Sequence, residues 1–323
     1  MEGTLILGGT GFLGAHAAAH CLAESRATAT FAKPLGSPVW AVGRDVSQVP
    51  RFGNPRDGVE FLARDLQPEG AGRELLEELK PKRVLLLAAI SRARACEEDP
   101  KLAERMNVDL PLEIANWCGQ RGARLLHVSS DQVFGAQPPP PGGFREEDLP
   151  APVSTYGDTK ARGEYGVLER APGALVVRLP LLFGDSGGRG LGASDSLLQA
   201  VDRDEMPPLF EDEFRTPLEV SQTAAALVEL LDRNDTGLLH LAGPERLSRL
   251  ELGLIILRVH GLSEEEARAA VTCARQADVE AGAVRAPDTS LSGRRAKKRL
   301  ESPLDGPQKA LGLAHGGSPG DAF

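Results

Sequence analysis

Several things are scarce in this chain, and each scarcity removes a class of function. Only four cysteines occur in 323 residues, Cys21, Cys96, Cys118 and Cys273. They lie far apart with no CxxC, so neither a disulfide framework nor a zinc site is indicated. The six histidines show no HExxH or similar spacing, and no metal is expected. His127 falls within an apparent strand and reads as a satisfied structural histidine. Long apolar runs are missing too: nothing approaches the ~18 residues needed to cross a bilayer, which points to a soluble, cytoplasmic chain. The amino terminus enters a strand within a few residues, which leaves no room for a signal peptide. Positive charge is in deficit, with 37 Lys and Arg against 46 Asp and Glu for a net charge of −9. A nucleic-acid binder needs a basic face to neutralise phosphates; the one basic run, Arg294 to Arg299, reads as a solvated helix face.

What is abundant is glycine, and its placement is informative. Thr4 to Leu7 form a β-branched and aliphatic run, followed by Gly8-Gly-Thr-Gly-Phe-Leu-Gly14 and the alanine-rich stretch Ala15 to Ala23. Strand, tight turn and helix in that order form a cradle for a dinucleotide diphosphate. One glycine permits the turn, one lets the backbone approach the pyrophosphate, and one allows helix to pack on strand. The phosphate charge then meets the free N–H groups and positive dipole end of the helix. The cofactor contacts expected here are Gly8, Thr10, Gly11, Phe12, Leu13 and Gly14. A second strand, Val39 to Val42, ends in Gly43-Arg44-Asp45. Gly43 stands where an acid would accept bonds from a ribose 2′-OH, whereas Arg44 can pair with a 2′-phosphate. NADP is therefore favoured, with NAD left open by Asp45. Asp65, after the apolar Val59 to Ala63 run, fits either a contact to the adenine amino group or a helix N-cap.

Strands and helices alternate beyond this point: a helix around Glu74 to Leu79, a strand Arg83 to Ala88, a helix Leu102 to Cys118, a strand Arg124 to Ser129 and a strand Ala174 to Leu179. Continuous apolar runs such as Val84 to Ala89 mark strands buried on both faces, hence an α/β fold with a doubly wound parallel (Rossmann) sheet. The expected organisation is a nucleotide-binding domain over 1–180, a smaller substrate-binding region over 181–305 and a flexible tail over 306–323. The second region should include a helix near Thr223 to Leu231 and a strand, Leu238 to Ala242, returning to the sheet. Pro138 to Gly143 forms a loop that suits a lid or a plain surface connection.

Ser129-Ser130-Asp131 closes the fifth strand, at the sheet end where open parallel sheets bind ligands. Tyr156 and Lys160, four residues apart, share one face of a helix that Ser154 or Thr155 can cap. A carbonyl that receives hydride becomes an alkoxide, which needs a proton donor and a hydrogen-bond partner. Tyr156 supplies the proton and Ser130 the hydrogen bond. Lys160 favours the phenolate of a group whose free pKa is about 10 and holds the nicotinamide ribose, so Tyr156 and Lys160 also count as cofactor contacts.

These segments, together with LLLAAI (85–90), HVSSDQVFG (127–135), YGDTKARGE (156–164), VVRLPLLFG (176–184) and PDTSLS (287–292), resemble the extended short-chain dehydrogenase/reductases. The likeness is greatest to the dTDP-4-dehydrorhamnose reductase-like (RmlD-like) branch. The resemblance implies a catalytic set of Ser130, Tyr156 and Lys160, with Asn107 supporting the lysine, and cofactor contacts that extend to Leu66, Ala88 and Ala89. It implies a nucleotide-sugar substrate near Ser130, Asp131 and Arg215, the last in a segment where family members hold sugar-nucleotide phosphates. Gln132 replaces the acid of related 4,6-dehydratases, which disfavours water elimination, and Ala286 replaces the usual arginine before proline. Family members commonly dimerise through helices that include the Tyr/Lys helix; the apolar helices here fit a homodimer or ordinary core packing. The expected function is an NAD(P)H-dependent reductase of a 4-keto nucleotide sugar. The rivals are an epimerase of the same family and an NADP-binding regulatory subunit like the RmlD-like partner of methionine adenosyltransferase.

Overall fold

The computed structural model describes residues 3–22, 38–47, 49, 58–278 and 284–312. Seven parallel strands form its main sheet: β1 (Thr4–Leu7), β2 (Val39–Gly43), β3 (Val59–Ala63), β4 (Arg83–Leu86), β5 (Arg124–Ser130), β6 (Leu175–Leu179) and β7 (Gly237–His240). They lie in the order β7-β6-β5-β4-β1-β2-β3. Strand order reverses between β1 and β4, whose registers place Leu7 opposite Leu86. Chain leaves these two strands toward opposite faces, which opens a crevice at their carboxyl ends. The expected returning strand is β7, paired in parallel with β6 from Gly237 opposite Leu175 to His240 opposite Arg178.

Alternation along the strands feeds two cores. Ile6, Ala41, Leu85, Leu126 and Val177 pack on one face with α1 (Phe12–Leu22) and the long C-terminal helix Val220–Leu231. Leu5, Leu7, Val42, Leu86, Leu125 and Val176 point the other way. There they meet α2 (Ala71–Leu79), α3 (Leu110–Arg121) and α4 (Thr155–Arg170). Both faces of the sheet are thus covered, which is why its strands read as unbroken apolar runs. A third cluster, Phe183, Leu197, Leu209, Leu252, Ile256 and Leu257, holds the C-terminal region around α5 (Gly192–Val201).

Three local features differ from the sequence reading. The helix expected over 102–118 is interrupted by a π-helical turn at Arg105–Asp109 before α3 begins, and Asn107 sits fully buried in that turn. The stretch after Gly306, expected as flexible, begins with a short helix, Pro307–Ala310, because Ala310 and Leu311 find apolar partners in the third cluster. His127 is fully buried as expected, yet neither ring nitrogen has a hydrogen-bond partner among the described residues. Ala23 of the expected first helix and residues 313–323 of the expected tail lie outside the described residues. Among the described residues no helix is long and apolar enough to cross a membrane, and no cluster of three or more His, Cys, Asp or Glu could hold a metal ion.

Candidate active site

The glycine turn is built as its spacing suggests. Gly8 N and Gly9 N both donate to Val42 O, at 2.9 and 2.8 Å, and Gly11 N donates to Gly8 O at 3.0 Å. Gly8 has φ +88°, and a Cβ there would stand 2.8 Å from Ala88 N across the β1/β4 crevice. A Cβ on Gly14 would run into the Gly8 carbonyl oxygen, so helix and strand approach only because that position carries no side chain. Ala88 and Ala89 form the opposite wall, half-buried, while Phe12 and Leu13 open α1 half-exposed.

At the end of β2, a side chain on Gly43 would collide with the hydroxyl of Thr10. A side chain at that position would require Thr10 to shift, and Arg44, exposed beside Gly43, is the first side chain available to a ribose substituent. Asp45 is folded back, its Oδ1 accepting from Ser47 N at 2.8 Å and Ser47 Oγ at 2.6 Å. Asp65 is not a helix cap: its Oδ1 accepts from Gln67 N at 3.0 Å, and α2 starts only at Ala71 after Gly70. The Leu66 side chain is buried in the core, so it can offer an adjacent ligand only its backbone.

On the other side of the crevice, α4 is capped by Ser154, whose Oγ accepts from Gly157 N at 3.1 Å. The helix brings the Tyr156 phenol beside the Ser130 hydroxyl, which favours the ionised form of the phenol. Ser130 Oγ also lies 3.0 Å from Asp131 Oδ1 and accepts from Gln132 N at 3.2 Å. A serine has one proton to give, and here Ser130 Oγ directs it to Asp131 Oδ1. Burial raises the Tyr156 pKa, partly offset by the Ser130 hydroxyl. The phenol is therefore held protonated, the opposite of the shift expected from the lysine. Lys160 Nζ donates to Val128 O at 2.7 Å instead. Burial lowers its pKa to about 8, with Glu164 opposing the fall. Asn107 does not reach Lys160 through its side chain. It bonds Ile90 N at 2.9 Å, Ile90 O at 3.1 Å and the Thr159 hydroxyl at 3.1 Å, fixing the residue beside the lysine and the segment after β4.

Asp131 and Arg215, both expected to face substrate, are brought together and buried. Arg215 Nε lies 3.5 Å from Asp131 Oδ2 and its Nη2 3.3 Å from Glu213 Oε1. Thr289 Oγ1, from the late PDTSLS segment, donates to Asp131 Oδ2 at 2.7 Å. Burial raises the Asp131 pKa, while Arg215 and the Thr289 hydroxyl pull it down. Two further arginines, missed from the sequence because nothing local marks them, flank this group. Arg285 reaches Glu213 at 3.3 Å. Arg249 has a buried Nη1 without a hydrogen-bond partner among the described residues. The Pro138 to Gly143 loop, read as a lid or a plain surface connection, is pinned at its base, where Phe144 N donates to Ser290 O at 2.8 Å and Ser292 N to Phe144 O at 2.8 Å.

Comparison with known proteins agrees with this architecture. Residues 1–314 match the family described as the RmlD substrate binding domain. The chain is 31% identical over 190 residues, 58% of its length and 63% of the relative's, to a Haloferax volcanii protein described as a probable low-salt glycan biosynthesis reductase, Agl14. It is 30% identical over 222 residues, 67% of its length and 66% of the relative's, to the methionine adenosyltransferase 2 subunit beta of Xenopus laevis. The match thus spans a little under two thirds of each of these curated relatives. A dTDP-4-dehydrorhamnose reductase of Bacillus anthracis str. Ames, solved in complex with NADP, shares the fold with a TM-score of 0.73 at 19% identity, covering 96% of both chains. With the family match running through almost all of the sequence, the chain belongs to the RmlD family.

Proposed function

We propose that the protein is an NADP-preferring reductase of a 4-keto nucleotide sugar, of the short-chain dehydrogenase/reductase type. The observation that carries the reading is the buried Tyr156 phenol beside the Ser130 hydroxyl, at the carboxyl end of β5, with Lys160 one helical turn on and the glycine turn across the β1/β4 crevice. The crevice fits a dinucleotide: Gly8, Gly11 and Gly14 leave backbone where side chains would intrude, and Gly43 packs against the Thr10 side chain where an acid would otherwise meet the ribose. Gly8, Thr10, Gly11, Phe12, Leu13 and Gly14 would hold the diphosphate, Arg44 the 2′-phosphate, Ala88 and Ala89 the wall, and Lys160 the nicotinamide ribose. Once bound, the nicotinamide would supply hydride to the ketone carbon.

The chain's own residues do the rest. Tyr156, kept protonated by its burial, gives its proton to the ketone oxygen as the alkoxide develops, and Ser130 hydrogen-bonds that oxygen. Lys160, with a pKa of about 8, is charged at neutral pH; to stabilise the phenolate left behind, its ammonium would turn from Val128 O toward Tyr156 once cofactor and substrate are bound. At the far end of the site, Arg249, whose buried Nη1 has no hydrogen-bond partner among the described residues, joins Arg215 and Arg285 to receive the diphosphate of a sugar nucleotide. The structural likeness to the dTDP-4-dehydrorhamnose reductase of Bacillus anthracis supports this substrate class.

The test is NADPH consumption with a panel of 4-keto nucleotide sugars, wild type beside Tyr156→Phe. Turnover that the substitution removes while cofactor binding persists is the expected result; undiminished turnover by Tyr156→Phe refutes the mechanism. The relationship to a methionine adenosyltransferase subunit favours a second reading, a cofactor-binding regulatory subunit. Absence of turnover on every ketosugar, with co-purification of a partner enzyme, would select it.

A further inference from the structure

The segment between the end of β6 and α5, Gly184-Asp-Ser-Gly-Gly-Arg-Gly-Leu-Gly192, lies across the outer side of the glycine turn and is attached to it at three points. Arg189 Nη1 donates to Thr10 O at 2.7 Å and Nη2 approaches Gly11 O at 3.5 Å. His16, on the second turn of α1, is bonded through Nε2 to Asp185 O at 2.8 Å. Gly192 packs so closely on the Phe12 ring that a Cβ there would stand 2.5 Å from Phe12 Cε1. The strap's own shape is set from within. Arg189 Nε donates to Ser186 O at 3.0 Å, while Arg189 N and Leu191 N both donate to Ser186 Oγ, at 3.1 and 3.2 Å. Its other edge is fastened to α5: Ser186 N donates to Asp195 Oδ2 at 3.0 Å and Gly184 N to Ser194 Oγ at 2.9 Å.

In a trans peptide the C=O and N–H point in opposite directions. A guanidinium on the Gly11 carbonyl therefore acts on the same peptide whose N–H, that of Phe12, opens α1 toward an anion. The Thr10 carbonyl belongs to the peptide whose N–H, that of Gly11, closes the turn onto Gly8 O. A charged donor on these two oxygens locks both peptide planes and polarises their N–H groups toward greater positive charge. We propose that Arg189 is a positioning residue for the dinucleotide diphosphate, reaching from the C-terminal region to hold the phosphate-binding peptides of Thr10, Gly11 and Phe12 in their anion-ready orientation. The inference rests on the dinucleotide reading of the glycine turn. It assigns Arg189 a task separate from that of Arg44: Arg189 serves the diphosphate, which NADPH and NADH share, and Arg44 serves the 2′-phosphate, which only NADPH carries.

Titration of the full-length protein with NADPH and with NADH, followed by nicotinamide fluorescence, separates the two. Arg189→Ala should weaken both cofactors by the same factor, about tenfold for the loss of a charge-assisted bond to each of two carbonyls, and leave their affinity ratio at the wild-type value. Arg44→Ala should change that ratio. Ser186→Ala, which removes the acceptor that shapes the strap but leaves the arginine in place, should weaken both cofactors equally and by less. It carries the same test should Arg189→Ala fail to fold. Affinities for both cofactors within twofold of wild type in the folded variants, or a loss confined to NADPH, would overturn the proposal while leaving the dinucleotide reading intact. A wild-type protein that binds neither cofactor would overturn that reading itself.

Discussion

Replacing Glu164 by Gln should cost this protein more stability than almost any other isosteric change. Glu164 lies one helical turn beyond Lys160 on α4, and both its oxygens are taken up by the fully buried Arg178 of β6. Arg178 Nε donates at 2.9 and 3.1 Å and Nη2 at 2.7 Å, with the two side chains only 1% and 4% exposed. Arg178 also stacks on Phe134, 4.9 Å from the ring centroid, and its Nη1 meets His240 Nε2 at 3.3 Å. An amide cannot neutralise that guanidinium, so Glu164→Gln leaves a buried cation unpaired, a loss of about 3–5 kcal/mol. In a chain of this size that corresponds to roughly 6–10 °C in the midpoint of thermal unfolding, read by circular dichroism. A partner substitution, Arg178→Met, placed on top of Glu164→Gln should recover roughly half of the loss, because it removes the stranded charge rather than a contact. The same carboxylate raises the Lys160 pKa against the effect of burial. Glu164→Gln should therefore move that pKa below about 8 and shift the alkaline fall of any Lys160-dependent turnover to lower pH. A midpoint within 2 °C of wild type, or a double variant less stable than the single, would refute the argument that an unpaired buried charge sets the cost.

Acid should destabilise the fold before carboxylates begin to protonate. Burial lowers the pKa of His127, of His20 to about 4 and of His240 to about 3, against an unfolded value near 6.5. The unfolded chain thus binds more protons below pH 6.5, and stability present above that pH is lost as the pH falls toward 4. Urea unfolding at pH 7 and pH 5 should show this fall, and His240→Gln should flatten part of it. Gly14→Ala should abolish nicotinamide fluorescence enhancement, since its Cβ would meet the Gly8 carbonyl oxygen and force α1 away from β1; unchanged binding would show that the turn tolerates that shift. Ile114→Ala, in the core between α3 and the sheet, should lower stability by about 2–5 kcal/mol with cofactor affinity unchanged, measured by denaturant midpoint and titration together.

What the sequence shows and what it hides divide along the distance between partners. The strands around Val84 to Ala89 and Leu175 to Leu179 are legible because burial on both faces writes itself into consecutive apolar residues. The glycine turn is legible because Gly8, Gly11 and Gly14 act on one another within seven residues. The Ser154 cap and the Tyr156/Lys160 spacing are local as well. The π-helical turn at Asn107 leaves no such mark, since an inserted residue in a helix changes hydrogen bonding without changing composition. The protonated state of Tyr156 is hidden for a related reason: whether Lys160 or burial controls the phenol depends on where the ammonium points, and here it points to Val128 O. Arg189 and Arg249 read as ordinary loop and helix arginines until the fold places one on Thr10 and the other beside Glu213.

The two halves of the candidate site are joined by a small number of long-range polar bonds, and that has a consequence for how the site can work. Thr289 holds Asp131, which holds Ser130; Arg189 holds Thr10 and Gly11. In both cases a residue from the C-terminal half fixes the backbone or hydroxyl that the N-terminal sheet presents. A ligand that draws Arg215 off Asp131, as an anionic diphosphate would, removes the charge that pulls the Asp131 pKa down and so favours its protonated form. A protonated Asp131 accepts more weakly than its carboxylate, which would loosen its hold on the Ser130 hydroxyl. Were the arginine group to receive a diphosphate as proposed above, its occupation would reach Ser130 through Asp131, the buried carboxylate that contacts both Arg215 and Ser130.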